Sequence, residues 1–324
     1  MAETTNDTSS GMLNRTKIDF ALRLGLSLPS QIVCLSGLAG NAVVFWFLCF
    51  GMKRNPVTVY ILNLAFVDFT LLLCISAELL YALLLAIGAA IPPFMHALWL
   101  PLQLIFTVGY NNSLFLLTAI SVERCLSVVY PLWYKCQRPK HLSCIACSLL
   151  WVLAIAVTFL EGSTCTAEDQ AAMAPHCTAV IVFLSCLGFG VVYLIMILSS
   201  LVLVIQVKRS SQKRQPTRLY RAILLNVLVF LVATFPTRIL NVLKYFQVIK
   251  LGLYARFSIY YAHMFLTAMN SSANPYIYFL VGWTKRRKSR HLLKGALHRV
   301  FKSDQEMPLW QNETLNSNVS TAAD

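Results

Sequence analysis

Long uncharged runs alternate with short basic clusters along this chain. Residues 24–52 carry no Asp, Glu, Lys or Arg, and neither do 79–122, 141–160, 170–207, 222–237 or 257–284. Between 55 and 85 the only charges are Asp68 and Glu78. A helix crosses the hydrocarbon core with about 20 apolar residues. The run 79–122 is too long for one crossing, and Pro92-Pro93 mark a loop within it. The pattern predicts seven helices at 25–50, 57–85, 95–129, 142–161, 178–207, 218–246 and 255–281. No run shows the dyad alternation of a barrel strand, and only helices or closed barrels satisfy their backbone in lipid. The expected fold class is an all-α integral membrane protein, a bundle of seven spans.

Composition supports this. Of the 324 residues, 57% are hydrophobic and 12% charged, against about 25% charged in a soluble domain. Soluble, disordered and disulfide-scaffold classes fall away. The net charge of +14 would suit a nucleic-acid partner only if Lys and Arg shared one soluble face. Here they sit between spans, so no nucleic acid is expected.

Their distribution sets an orientation. One side carries Lys53, Arg54, Lys135, Arg138, Lys140, the basic residues of 208–221 and the cluster from Lys285 to Lys302. The other has Arg15, Lys17, Arg23, Lys250 and Arg256. The basic side is expected in the cytoplasm, with the N-terminus outside, which an odd number of spans satisfies. The first 24 residues lack the features of a signal peptide, so the first span is expected to be an uncleaved anchor. The organisation read from this is an extracellular tail at 1–24, the bundle at 25–281, a membrane-surface helix at 282–303 and a cytoplasmic tail at 304–324. Trp283, Leu292, Leu293, Ala296, Leu297, Val300 and Phe301 fall at helical spacing in the third segment, giving an amphipathic eighth helix lying on membrane lipids. Asn6 and Asn14 stand in glycosylation sequons of the outer tail; Asn111 and Asn270 match the same pattern inside spans.

Of ten cysteines, only Cys165 and Cys177 fall outside the membrane on the oxidising side. A bridge between them is expected, closing the loop before the fifth span.

An ionisable group at the bilayer centre costs roughly 2.5–3.5 kcal/mol. Asp68 is therefore either satisfied by neighbouring hydroxyls or part of a water-filled ion site. Ser113, Asn270, Ser271 and Asn274 offer oxygens suited to a hard cation such as sodium. Glu123-Arg124 ends the third span, where snorkelling of the arginine is the plain alternative. Pro236 and Pro275 interrupt the backbone ladders of the sixth and seventh spans.

Together, Asn41, Asp68, Arg124, Trp151 and Asn274-Pro275-x-x-Tyr278 resemble the rhodopsin-like G-protein-coupled receptors, over residues 25 to 303. The run from Leu117 to Val128, Tyr130-Pro131-Leu132-Trp133-Tyr134, Arg138-Pro139-Lys140-His141, Arg54-Asn55-Pro56 and Asn270 to Tyr278 are similar to the Mas-related receptor family. That resemblance implies an extracellular ligand, a heterotrimeric G-protein partner, no enzymatic activity and residence in the plasma membrane. It assigns coupling to Glu123, Arg124, Phe230, Pro236, Asn274, Pro275 and Tyr278, with the sixth span hinging at Pro236. It also implies an outer bridge between the fourth and fifth spans, matching Cys165 and Cys177. The chain departs from the wider receptor pattern at Cys125, Thr234 and Leu194. No Asp or Glu occurs between Asp169 and Asp304, so the sixth span offers Arg124 no acid and only Glu123 remains. Ligand-free signalling is the expectation.

The ligand pocket is expected among Glu78, Phe106, Tyr110, Glu161, Arg238 and Tyr245. Glu161 either anchors a peptide or small polar ligand or pairs with Arg238. A secondary transporter is the rival from another class, but the internal repeats it needs are absent. An orphan receptor acting mainly through constitutive signalling is the other alternative.

Overall fold

The computed structural model describes residues 4–51, 55–165, 174–209, 217–246 and 253–282, and all regular structure among them is helical. Spans run Thr4–Phe50, Pro56–Ala86, Pro93–Val129 and Leu142–Thr164, with a short helix at Pro131–Cys136. The fifth span joins Pro175–Ser185, a π-helical segment Cys186–Tyr193, and Leu194–Arg209; the sixth is Thr217–Tyr245 and the seventh Leu253–Gly282. Among the described residues six segments are long and apolar enough to cross a membrane: Ser27–Phe50, Pro56–Leu85, Pro93–Val129, Leu142–Thr164, Pro175–Gln206 and Arg221–Leu240. The seventh span has 30 residues, or about 45 Å at 1.5 Å per residue. Its polar stripe lowers its hydropathy, yet Thr267, Asn270, Ser271, Ser272 and Asn274 are all buried. The stripe faces protein, not lipid.

The expected spans are present, with two differences. The first helix continues back to Thr4 rather than starting at 25; no proline occurs before Pro29 to stop it. The fifth span contains a π segment that apolar periodicity cannot reveal. The predicted membrane-surface helix and the tail after it lie outside the described residues. Asn6 and Asn14 fall on the extended first helix.

Local chemistry sets several boundaries. Asn55 Oδ1 accepts from the Val57 and Thr58 amides at 3.1 and 2.8 Å, while Thr58 Oγ1 accepts from the Asn55 amide at 2.8 Å. This reciprocal cap, with Pro56 in the first turn, starts the second span. Gly88, at φ 69°, turns the chain just past that span's end, in the left-handed region glycine enters freely.

The spans close into a ring. The first packs on the second and seventh, and the sixth on the seventh; the third touches the second, fourth, fifth and sixth. The third span is thus the axis against which the others are read. Gly37 lets the first and seventh spans approach: a Cβ there would collide with Ser272 Oγ. Asn41 fastens the same pair, its Nδ2 donating to the Gly37 and Ser271 carbonyls at 3.0 Å each. Trp151 Nε1 donates to Asn63 Oδ1 at 3.2 Å and ties the fourth span to the second. Trp46, Phe50, Leu153, Phe159 and Leu280 lie outward, as a lipid-facing surface requires.

Candidate ligand, ion and coupling sites

Polar residues gather at three depths. In the outer half, Phe106 and Tyr110 stack with centroids 6.1 Å apart, and His263 meets both edge-on at 6.2 and 5.6 Å. The Arg238 guanidinium lies 4.4 Å from the Tyr110 ring centroid, a cation–π contact. Its Nη2 donates to Asn111 Oδ1 at 3.1 Å, and Asn111 Nδ2 donates to Thr158 Oγ1 at 3.4 Å. Asn111 therefore serves packing polarity inside the bundle, where no glycan could attach. Glu161 does not close on Arg238 to ion-pair distance, and acts on it only through space.

The six expected pocket residues do not form one cluster. Phe106, Tyr110 and Arg238 come together. Glu78 is buried and takes a 3.0 Å hydrogen bond from the Tyr260 hydroxyl, linking the second and seventh spans. Tyr245 shares a 2.8 Å hydrogen bond with Thr178, one residue beyond Cys177. The Cys165–Cys177 disulfide joins the end of the fourth span to the start of the fifth, with Cα atoms 4.9 Å apart. Sequence reasoning missed His263, Asn111, Thr158 and Tyr260. Their signal was only polarity within apolar runs.

At mid-depth Asp68 is fully buried. Its Oδ2 accepts from Asn274 Nδ2 at 2.5 Å and its Oδ1 from Ser113 Oγ at 3.4 Å. The buried Ser271 side chain stands beside the carboxylate. The second, third and seventh spans thus converge on one carboxylate. Asn270 is buried nearby but gives Asp68 no hydrogen bond. Asp68 Oδ1 with the Ser113 and Ser271 hydroxyls is a set of hard oxygens that fits a sodium ion.

At the inner end Arg124 is buried to 1% exposure. Glu123, which the sequence reading left as its acidic partner, is engaged elsewhere. Glu123 Oε1 pairs with Arg138 Nη2 at 2.7 Å and accepts from the Tyr134 hydroxyl at 2.8 Å. Arg138 Nη2 also donates to Ser143 Oγ at 2.6 Å. Burial foremost pushes the Tyr134 phenol above its ordinary range, keeping it a donor. The third span, the short helix and the fourth span are locked through one carboxylate.

Tyr278 is buried and its hydroxyl accepts from Asn226 Nδ2 at 3.1 Å, joining the seventh span to the sixth. Pro275 packs on the first span, where a Cβ at Gly40 would fall 3.0 Å from its own Cβ. Pro236 sits on the outward surface of the sixth span, whose helix continues through it. Beside it Thr234 Oγ1 donates to the Phe230 carbonyl at 2.5 Å. Tyr193, at the end of the π segment, meets the Phe230 ring at a tilt with centroids 5.8 Å apart and donates to Thr234 Oγ1 at 3.4 Å. Tyr193 and Asn226, which sequence reasoning missed, make these contacts with Thr234 and Tyr278.

A buried arginine at the inner end of a central helix, a carboxylate at mid-depth and a seventh span that carries a proline and a buried tyrosine near its inner end define a class: receptors that relay a signal through a seven-helix bundle. Residues 40–278 match the family described as 7 transmembrane receptor (rhodopsin family). The chain is 38% identical to human Proto-oncogene Mas over 282 residues, covering 87% of this chain and 84% of that protein. Against rat Mas-related G-protein coupled receptor member H it is 40% identical over 311 residues, covering 96% and 92%. The mouse member H is 43% identical over 287 residues, covering 89% and 86%. The chain belongs to the rhodopsin family of seven-transmembrane receptors and is homologous to the Mas-related G-protein-coupled receptors.

Proposed function

We propose that this chain is a plasma-membrane receptor, its N-terminus outside, that signals to a heterotrimeric G protein both on binding a peptide or small polar ligand and in its absence. The observation that carries the basal component is the diversion of Glu123 to Arg138 and Tyr134. No acid occurs anywhere in the sixth span, and a neutral contact, Asn226–Tyr278, joins it to the seventh. Neutral hydrogen bonds contribute only about 1 kcal/mol each, so the open state is only modestly disfavoured.

In the mechanism this supports, an outer ligand shifts the sixth span against the third, and Tyr193, Phe230 and Thr234 transmit the shift towards Asn226. The inner end of the sixth span parts from Arg124, and the cavity so formed accepts the G protein. Such a ligand acts through its different affinity for the two arrangements. A sodium ion held by Asp68, Ser113 and Ser271 would tie the second, third and seventh spans and favour the closed state.

The test is second-messenger output in cells expressing graded amounts of receptor. Output rising with surface expression in the absence of ligand, and falling to background with Arg124→Ala, is the expected result. Output equal to that of untransfected cells would contradict the basal component.

A further inference from the structure

The outer cluster holds buried polar side-chain atoms that the bundle leaves without partners. Arg238 carries five N–H donors on its guanidinium, of which Nη2 donates to Asn111 Oδ1. The Tyr110 hydroxyl and His263 Nδ1 are both buried with no hydrogen-bond partner. All three groups border one ring: Arg238 at 4.4 Å and His263 at 5.6 Å from the Tyr110 centroid. Glu161, the acid at the end of the fourth span, does not reach ion-pair distance of Arg238. The Tyr110 hydroxyl and His263 Nδ1, buried without partners, carry a desolvation cost, and a part-buried guanidinium among aromatic faces suits an anion.

We propose that Arg238, Tyr110 and His263 form an anion-recognition site deep in the outer half of the bundle, which takes the carboxylate of an extracellular ligand. The carboxylate would accept two N–H bonds from the Arg238 fork, one O–H bond from Tyr110 and one N–H bond from His263 in its Nδ1–H tautomer. That set uses the four lone-pair positions a carboxylate offers. The stacked Phe106 and Tyr110 rings give an apolar wall for whatever the acid is attached to, so an aromatic acid or a peptide C-terminus fits better than a bare ion. This inference rests on the reading that an extracellular ligand enters the bundle, and it assigns that ligand an acidic group.

The experiment uses the full-length receptor purified in nanodiscs at constant sodium, with thermal unfolding followed by a thiol-reactive dye on its free cysteines. The probes are 3-phenylpropanoate, its amide 3-phenylpropanamide, and chloride exchanged against methanesulfonate. The expected result is a midpoint raised by the acid and not by the amide. The half-maximal acid concentration should rise about tenfold or more in Arg238→Gln, the scale of one lost charged hydrogen bond, and less in Arg238→Lys. Should Arg238→Gln fail to fold, Tyr110→Phe and His263→Phe keep the rings and are each expected to weaken the acid severalfold. Equal stabilisation by acid and amide, or an acid response unchanged by every variant, would overturn the proposal. So would saturation by chloride with nothing added by the acid, which would mark an inorganic-anion site. No G protein is present, so failure here is distinct from failure of the coupling reading.

Discussion

Glu123 and Arg138 meet at 2.7 Å, both nearly buried, across the junction of the third span and the loop that follows the short helix. The acid adjacent to Arg124 is therefore committed to a neighbour fifteen positions away in sequence. Replacing Arg138 by Met should release Glu123 towards Arg124 and strengthen the closed state. Ligand-free nucleotide exchange should fall about fivefold, the change expected for about 1 kcal/mol. In a Glu123→Gln background the same replacement should have little further effect, and a double-mutant cycle reads the difference directly.

The Asn226–Tyr278 hydrogen bond ties the sixth span to the seventh, and on the proposed mechanism it restrains the sixth span from moving away from Arg124. Asn226→Leu removes the donor while keeping the volume near that of the original side chain. Ligand-free exchange should rise about fivefold, in line with a hydrogen bond contributing about 1 kcal/mol. An unchanged basal rate would show that the contact does not hold the sixth span.

Sodium dependence should reside on Asp68. Exchanging sodium for N-methyl-D-glucamine at constant chloride should lower the unfolding midpoint of the wild type by several degrees and leave Asp68→Asn unaffected. Asn270→Ala should retain the sodium response, because Asn270 gives Asp68 no hydrogen bond.

The Cys165–Cys177 bridge closes a loop of sequence separation 12. Loops of about this size gain roughly 3 kcal/mol from a crosslink. Cys165→Ser, Cys177→Ser and the double variant should therefore unfold at similarly lowered temperatures, and a membrane-impermeant reductant should reproduce the shift on the wild type.

The sequence made much of this legible because each signal is local. Uncharged runs mark spans, Asn55-Pro56 marks a helix start, and Asp68 stands out where charge is costly. The two cysteines of the outer loop are selected by topology. What escaped depends on rotation and phase. The π segment at Cys186–Tyr193 changes which residues of the fifth span face inward, and so places Tyr193 on the sixth span, with no side-chain signature of its own. Arg238 meets Asn111 and Tyr110 rather than Glu161 because of how the sixth span is turned against the third. Glu123 finds Arg138 because the short helix folds the loop back. Pattern gives each helix its inner face but not the partner opposite it.

The most direct test of the central claim, that Arg124 reports bundle rearrangement to a G protein, is nucleotide exchange on purified heterotrimers by receptor reconstituted in nanodiscs. Wild type should accelerate exchange over empty nanodiscs without ligand, and Arg124→Ala, matched for folded protein by unfolding midpoint, should abolish the acceleration. Equal acceleration by wild type and Arg124→Ala, or none by either across a panel of G-protein classes, would contradict it.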